Sequence, residues 1–133
     1  MKTKTKRAQV ASTLKKRIQE YYRHLNSGDF QWCYNAIDPD IRNQATSIAF
    51  IPFALSLERF LDHFGKVTVK SDDIKIELHQ YGSNALYQDR DFAVVKVSWL
   101  DKHHGIPHQF QDRWVRSGRT WYSRCTGMVT PKE

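Results

Sequence analysis

The sequence predicts a single α+β domain, with helices in the first half and an antiparallel sheet in the second. Three observations carry this. Apolar residues before Gly65 recur at spacings of three and four, the period of a half-buried helix. After Gly65 the period falls to two, and Gly- and Ser-containing turns separate the alternating runs. At 133 residues the chain has the size of one domain. A domain near this size buries roughly two-thirds of the surface its unfolded chain exposes.

Residues 1–6 read as a disordered basic lead-in to a domain spanning residues 7–130. Ala11, Leu14, Ile18, Tyr21 or Tyr22, and Leu25 mark one apolar face of a first helix from about Arg7 to Asn26. Asn26-Ser27-Gly28 ends it, with Gly28 suited to a left-handed cap. Asp29 can N-cap a second helix, Phe30 to Ile37, which Asp38-Pro39 stops. Residues 38–51 read as a loop with extended structure around Ala45–Phe50. Pro52 suits the first position of a third helix, whose stripe is Phe53, Leu57, Phe60, Leu61 and Phe64 and whose end is Gly65.

Lys66 to Lys70 reads as a short strand, or as the start of a longer one broken at Ser71-Asp72-Asp73. Ile74, Ile76 and Leu78 then alternate with Lys75, Glu77 and His79, so one face is buried and the other wet. Gly82-Ser83-Asn84 is a turn. Ala93, Val95, Val97 and Trp99 share a face opposite Phe92, Val94, Lys96 and Ser98. His103-His104-Gly105 turns the chain into Ile106–Arg116, and Ser117-Gly118 turns it again into Thr120–Met128. The stretch Gln109 to Cys125 is thus a hairpin with large aromatics on fixed faces.

Composition narrows the function classes. Seven phenylalanines, six tyrosines and four tryptophans supply bulky core material. Cys33 and Cys125 fall short of a disulfide framework, which points to reduced thiols and a cytoplasmic setting. No apolar run approaches the roughly 18 residues that cross a bilayer, and the basic N-terminus lacks the apolar segment of a secretory signal. The net charge of +7 is local: residues 1–23 carry eight basic side chains against Glu20 alone, and residues 24–133 carry thirteen of each sign. A basic arm can bind phosphate by counterion release, but a solvated terminus is the simpler account, so nucleic-acid binding ranks last.

Ser27-Gly28-Asp29-Phe30 between two helices, followed by a sheet ending in Asp112-Arg113-Trp114-Val115-Arg116 and Trp121-Tyr122, resembles the nuclear transport factor 2-like superfamily. Its relatives include polyketide-cyclase-like and ketosteroid-isomerase-like proteins, and the resemblance covers roughly residues 8–130. It implies a cystatin-like α+β cone: three N-terminal helices packed on a strongly curved antiparallel sheet, with a pocket between. It also implies a homodimer formed through the outer sheet face. The superfamily holds isomerases, dehydratases, cyclases and non-catalytic binding domains, so the fold does not choose among them.

Alternation places His108, Phe110, Asp112 and Trp114 on one strand face. His108 and Asp112 lie about 13 Å apart along the strand, too far to hydrogen-bond yet able to reach one pocket. Facing inward beside Phe110 and Trp114, Asp112 would be desolvated, as a general base near neutral pH requires, and His108 would be a second acid, base or donor. The structural alternative pairs Asp112 with Arg113, Arg124 or a helix residue at the rim. Among Tyr21, Tyr22, Tyr34, Tyr81 and Tyr87, Tyr22 and Tyr34 are placed to face the sheet and orient a ligand oxygen, although tyrosines at helical spacing more often pack.

His103, His104 and His108 invite a metal reading, but adjacent histidines in a turn diverge, and a polar loop is the simpler account. Asp38 or Arg42 could stand at the mouth of the cone, or Asp38 could cap a helix. Cys33 reads as packing. Phosphate-binding glycine loops, a nucleophile elbow and dinucleotide fingerprints are not found, so cofactor-free chemistry is expected. The leading expectation is a binding protein for a small hydrophobic or aromatic ligand, with Tyr22, Tyr34, Trp99, His108, Phe110, Asp112 and Trp114 around an aromatic-lined pocket. A cofactor-free isomerase, dehydratase or cyclase with Asp112 as base is the enzyme alternative. A partner-binding domain is the third, with tryptophans filling the cone and Phe92, Val94 or Val115 on an apolar outer face.

Overall fold

The computed structural model describes residues 2–43, 49–79 and 91–124. Four helices come first: α1 (Lys2–Asn26), α2 (Phe30–Asn35), α3 (Pro39–Arg42) and α4 (Phe50–Phe64). The strands follow as β1 (Ile74–His79), β2 (Phe92–Asp101), β3 (Ile106–Ser117) and β4 (Thr120–Ser123). They form one antiparallel sheet in the order β1-β2-β3-β4. The α+β class expected from the change of period is therefore the class observed.

Several boundaries differ from the expected ones. The first helix begins at Lys2, not near Arg7. α2 stops at Asn35 because the chain leaves the helix to pair with β4. Ser123 N donates to Ala36 O at 2.8 Å, and Asp38 N donates to Ser123 O at 2.8 Å. The expected loop at 38–51 contains α3, so four helices replace the expected three. Asp38 caps α3, its Oδ1 accepting from Asp40 N at 3.3 Å, and Pro39 occupies its first turn, where no N–H is required. α4 opens at Phe50 behind Ala49, leaving Pro52 inside the first turn. Residues 44–48 of the expected extended stretch lie outside the described residues.

Lys66–Lys70 is not a strand. Its backbone partner is the end of α1: the Asn26 amide donates to Val67 O at 2.6 Å and accepts from Val67 N at 2.8 Å. One carboxamide thus takes the place of a neighbouring strand. Ser71–Asp73 form a 3-10 turn, in which Asp73 Oδ2 accepts from Lys70 N at 2.9 Å. The last strand ends at Ser123; the expected turn at Gly82-Ser83-Asn84 and residues 125–128 of the expected last strand lie outside the described residues.

Register decides which side chains share a face. Ala93 pairs with Trp114, Val95 with Asp112, Val97 with Phe110 and Trp99 with His108. The expected inner sets on β2 and β3 are therefore the same face of one sheet. β1 adds Ile74, Ile76 and Leu78 opposite Val97, Val95 and Ala93. Against this face α1 places Leu14, Ile18 and Leu25, and α4 places Phe53 and Leu57, all fully buried. Arg17 is tied in beside them, its Nε donating to Trp121 O at 3.1 Å and its guanidinium 4.7 Å from the Trp32 ring. On the opposite face Phe92 and Val115 are buried within the single chain, with Val94 and Tyr122 packed on them. No helix among the described residues is long and apolar enough to cross a membrane.

Candidate functional site

The inner face divides the expected site residues into two groups. At the end of the sheet near the β2–β3 turn, Trp99 sits within an aromatic cage. Phe60 and Phe64 from α4 approach its ring at 5.5 Å each, Phe110 at 5.4 Å, and His108 stacks on it at 4.8 Å. The i, i+4 spacing of Phe60 and Phe64 lets one helix face supply two walls. The cross-strand pairing of Trp99 with His108 supplies the stack. Trp99 is 4% exposed, and its Nε1 is a buried donor without a partner. Stranding such a donor is costly, on the order of 1–3 kcal/mol.

Behind the cage lies a carboxylate whose hydrogen-bonding capacity is heavily used. Asp101 is 1% exposed. Its Oδ1 accepts from the backbone N–H groups of His103 (2.9 Å) and His104 (3.1 Å). Its Oδ2 accepts from His104 Nδ1 at 2.7 Å and from His108 Nε2 at 3.4 Å. Burial alone would raise the pKa of Asp101, but the hydrogen bonds from His104, His108 and the His103 backbone outweigh it and hold the carboxyl below its ordinary range. An ionised carboxylate only accepts, so both imidazoles are donors here.

His103 turns the other way and donates Nδ1–H to His63 O at 3.1 Å, fastening the β2–β3 turn to the end of α4. One ring nitrogen of each of His103, His104 and His108 is directed at the Asp101 carboxylate or the His63 carbonyl, and no group of three or more His, Cys, Asp or Glu suited to hold a metal ion is found among the described residues.

The second group lies toward α1. Trp114 is buried against Tyr21, the rings meeting edge to face at 6.0 Å. Asp112 is half-buried. Its Oδ2 accepts from Ser123 Oγ at 2.6 Å and its Oδ1 from Arg113 N at 2.7 Å. Ser123, itself 2% exposed, was not among the expected site residues, although its position opposite Trp114 follows from the hairpin register. Tyr22 is buried, and burial, then the charge of Asp112, then Cys33 raise its phenol far above the ordinary range. Tyr22 therefore stays a protonated donor. Tyr34 stands apart from both groups, packed on Phe50 at 5.4 Å and Phe53 at 5.7 Å.

Comparison with known protein families, curated proteins and solved structures finds no match to this chain. The site must accordingly be read from its own chemistry.

Two grooves are bordered by expected residues. One, of about 660 Å³, is bordered by Trp99 and His108 together with Lys70, Lys102, Leu100 and Gln109. The other, of about 630 Å³, runs between α1 and the 67–69 segment and is bordered by Tyr22, Lys16, Arg23 and Asn26. Of the seven expected residues, Trp99 and His108 border the first of these grooves and Tyr22 the second. Trp99, His108 and Phe110 come together; Trp114, Asp112 and Tyr22 form a separate neighbourhood.

Asp38 and Cys33 have structural roles. Asp38 is fully buried, caps α3 and meets Arg124 Nη1 at 2.7 Å. Arg42 turns back to donate Nε–H to Ile37 O at 2.9 Å. Cys33 is buried under α1, and burial, with a smaller push from Asp29, raises its thiol to about 12. Such a thiol is a packing group rather than a nucleophile.

Proposed function

We propose that this protein binds a small molecule at the end of the sheet where Trp99 and His108 stack. The observation that carries the reading is the Trp99 indole N–H: a buried donor with no partner, in a cage that borders a 660 Å³ groove. Grooves of this size suit small organic molecules. A ligand oxygen that accepted from the indole would remove the penalty of the stranded donor. The resemblance to nuclear transport factor 2-like proteins, in which helices close a pocket over an antiparallel sheet, supports the same reading.

The cofactor-free isomerase reading draws on Asp112 and its electrostatic coupling to Tyr22. It is the weaker of the two, because both Asp112 oxygens already accept hydrogen bonds, from Ser123 and from the Arg113 amide. A partner-binding role through the outer face draws on Phe92 and Val115, which the chain itself already covers.

The test is an indole ¹⁵N–¹H spectrum recorded against a library of monocyclic aromatic fragments, with the Trp99 signal assigned through Trp99→Phe. Ligands entering the cage shift Trp99 saturably and leave Trp32, on α2, in place. If no fragment moves Trp99 ahead of Trp32, the reading is wrong.

A further inference from the structure

The groove beside Trp99 has a chemical bias that narrows its ligand. Resting on the binding reading above, we infer that it takes an organic carboxylate: an anionic head on a small apolar body. The donors on its wall are in surplus. Lys70 and Lys102 both border it, both are exposed, and neither forms an ion pair among the described residues. Trp99 borders the same groove and carries a buried N–H without a partner.

The carboxylates nearby accept hydrogen bonds from the protein itself. Asp73 is the carboxylate on the lining, and its Oδ2 accepts from the Lys70 backbone at 2.9 Å. Asp101, behind His108, accepts from two backbone N–H groups and two imidazoles. Serving Asp101 also fixes His108, whose Nε2–H is directed at that carboxylate while the ring stacks on Trp99. A ligand that brings acceptor oxygens and negative charge therefore matches what this wall has to offer.

The remaining lining sets the rest of the ligand. Leu100 is 56% exposed and, with Pro107 and Trp99, gives the groove an apolar side. A bare inorganic anion would leave that side in water. An aromatic or short aliphatic body covers it.

The experiment compares benzoate, benzamide and inorganic phosphate by their effect on the assigned Trp99 indole signal. It uses the full chain and its Lys70→Gln/Lys102→Gln double variant, whose changes are at the surface. Benzoate is expected to shift Trp99 saturably, with benzamide weaker by about tenfold and the double variant losing a similar factor. Benzamide binding as well as benzoate, with the double variant unaffected, overturns the anionic head and leaves the binding reading standing. Phosphate binding as tightly as benzoate overturns the organic body. If none of the three moves Trp99, the carboxylate and the groove as a ligand site fall together.

Discussion

Arg124 Nη1 lies 2.7 Å from Asp38 Oδ2, joining the residue after β4 to the cap of α3 across 86 positions of sequence. The Asp38 side chain is 1% exposed and that of Arg124 19%. Breaking a buried pair from one side leaves an uncompensated charge, which costs about 3–5 kcal/mol. Arg124→Ala should therefore lower the stability measured by urea unfolding by an amount in that range. Arg124→Lys should restore part of it, since the charge returns without the planar fork. A loss below about 1 kcal/mol for Arg124→Ala, the scale of an exposed pair, would show that the pair is solvated.

Asp101 links stability to pH. Its carboxyl is held below the ordinary range, so the folded state binds this proton less readily than the unfolded chain. The stabilisation is therefore complete above the unfolded value of about 3.9 and lost as pH falls through the lower folded value. Asp101→Asn should reduce the melting temperature at pH 7 and flatten the acid limb of the melting curve below about pH 4. An unchanged acid limb would mean that the histidine contacts add nothing to folding.

Gly65 ends α4 at φ +81°, and a Cβ there would come within 2.9 Å of His103 Nε2. Gly65→Ala meets an unfavourable backbone region and pushes the ring that fastens the turn to His63 O. The backbone strain alone is about 1–3 kcal/mol. Calorimetry should show a destabilisation at least that large, and hydrogen exchange should show faster opening of the β2–β3 turn. Wild-type stability would mean that the turn readjusts at no cost.

Trp99→Phe should be milder than its burial suggests. It removes the stranded donor together with the lost ring area, which offsets about 1–3 kcal/mol of the packing loss. Trp121→Phe is the control: its ring is 2% exposed, and its N–H is not left buried without a partner. Chemical unfolding of the two variants should place Trp99→Phe as the less destabilised. The reverse order would mean that the indole N–H finds an acceptor in solution.

Much of this protein was determined by local pattern. The stripe Phe53, Leu57, Phe60, Leu61 and Phe64 and the cap at Gly65 specify α4, because burying one helical face needs only that spacing. The alternation within β3 specifies that His108, Phe110, Asp112 and Trp114 share a face, because the side-chain period of a strand is two, while the register brought Trp99 of β2 onto that face. Cys33 is legible as a core residue on the same grounds.

Tertiary structure decided what depends on distant partners. Asp38 could cap a helix or stand at a pocket mouth; the arrival of Arg124 and Ser123 from the far end of the chain made it a buried cap. Lys66–Lys70 has strand composition, but Asn26 supplies the backbone partner that a strand would have supplied. His103, His104 and His108 read as a polar loop with no stated partners; the fold supplied Asp101 and His63 O as those partners. The sequence lists which groups can donate and accept. Only the folded chain assigns each group its partner, and it left the Trp99 N–H without one.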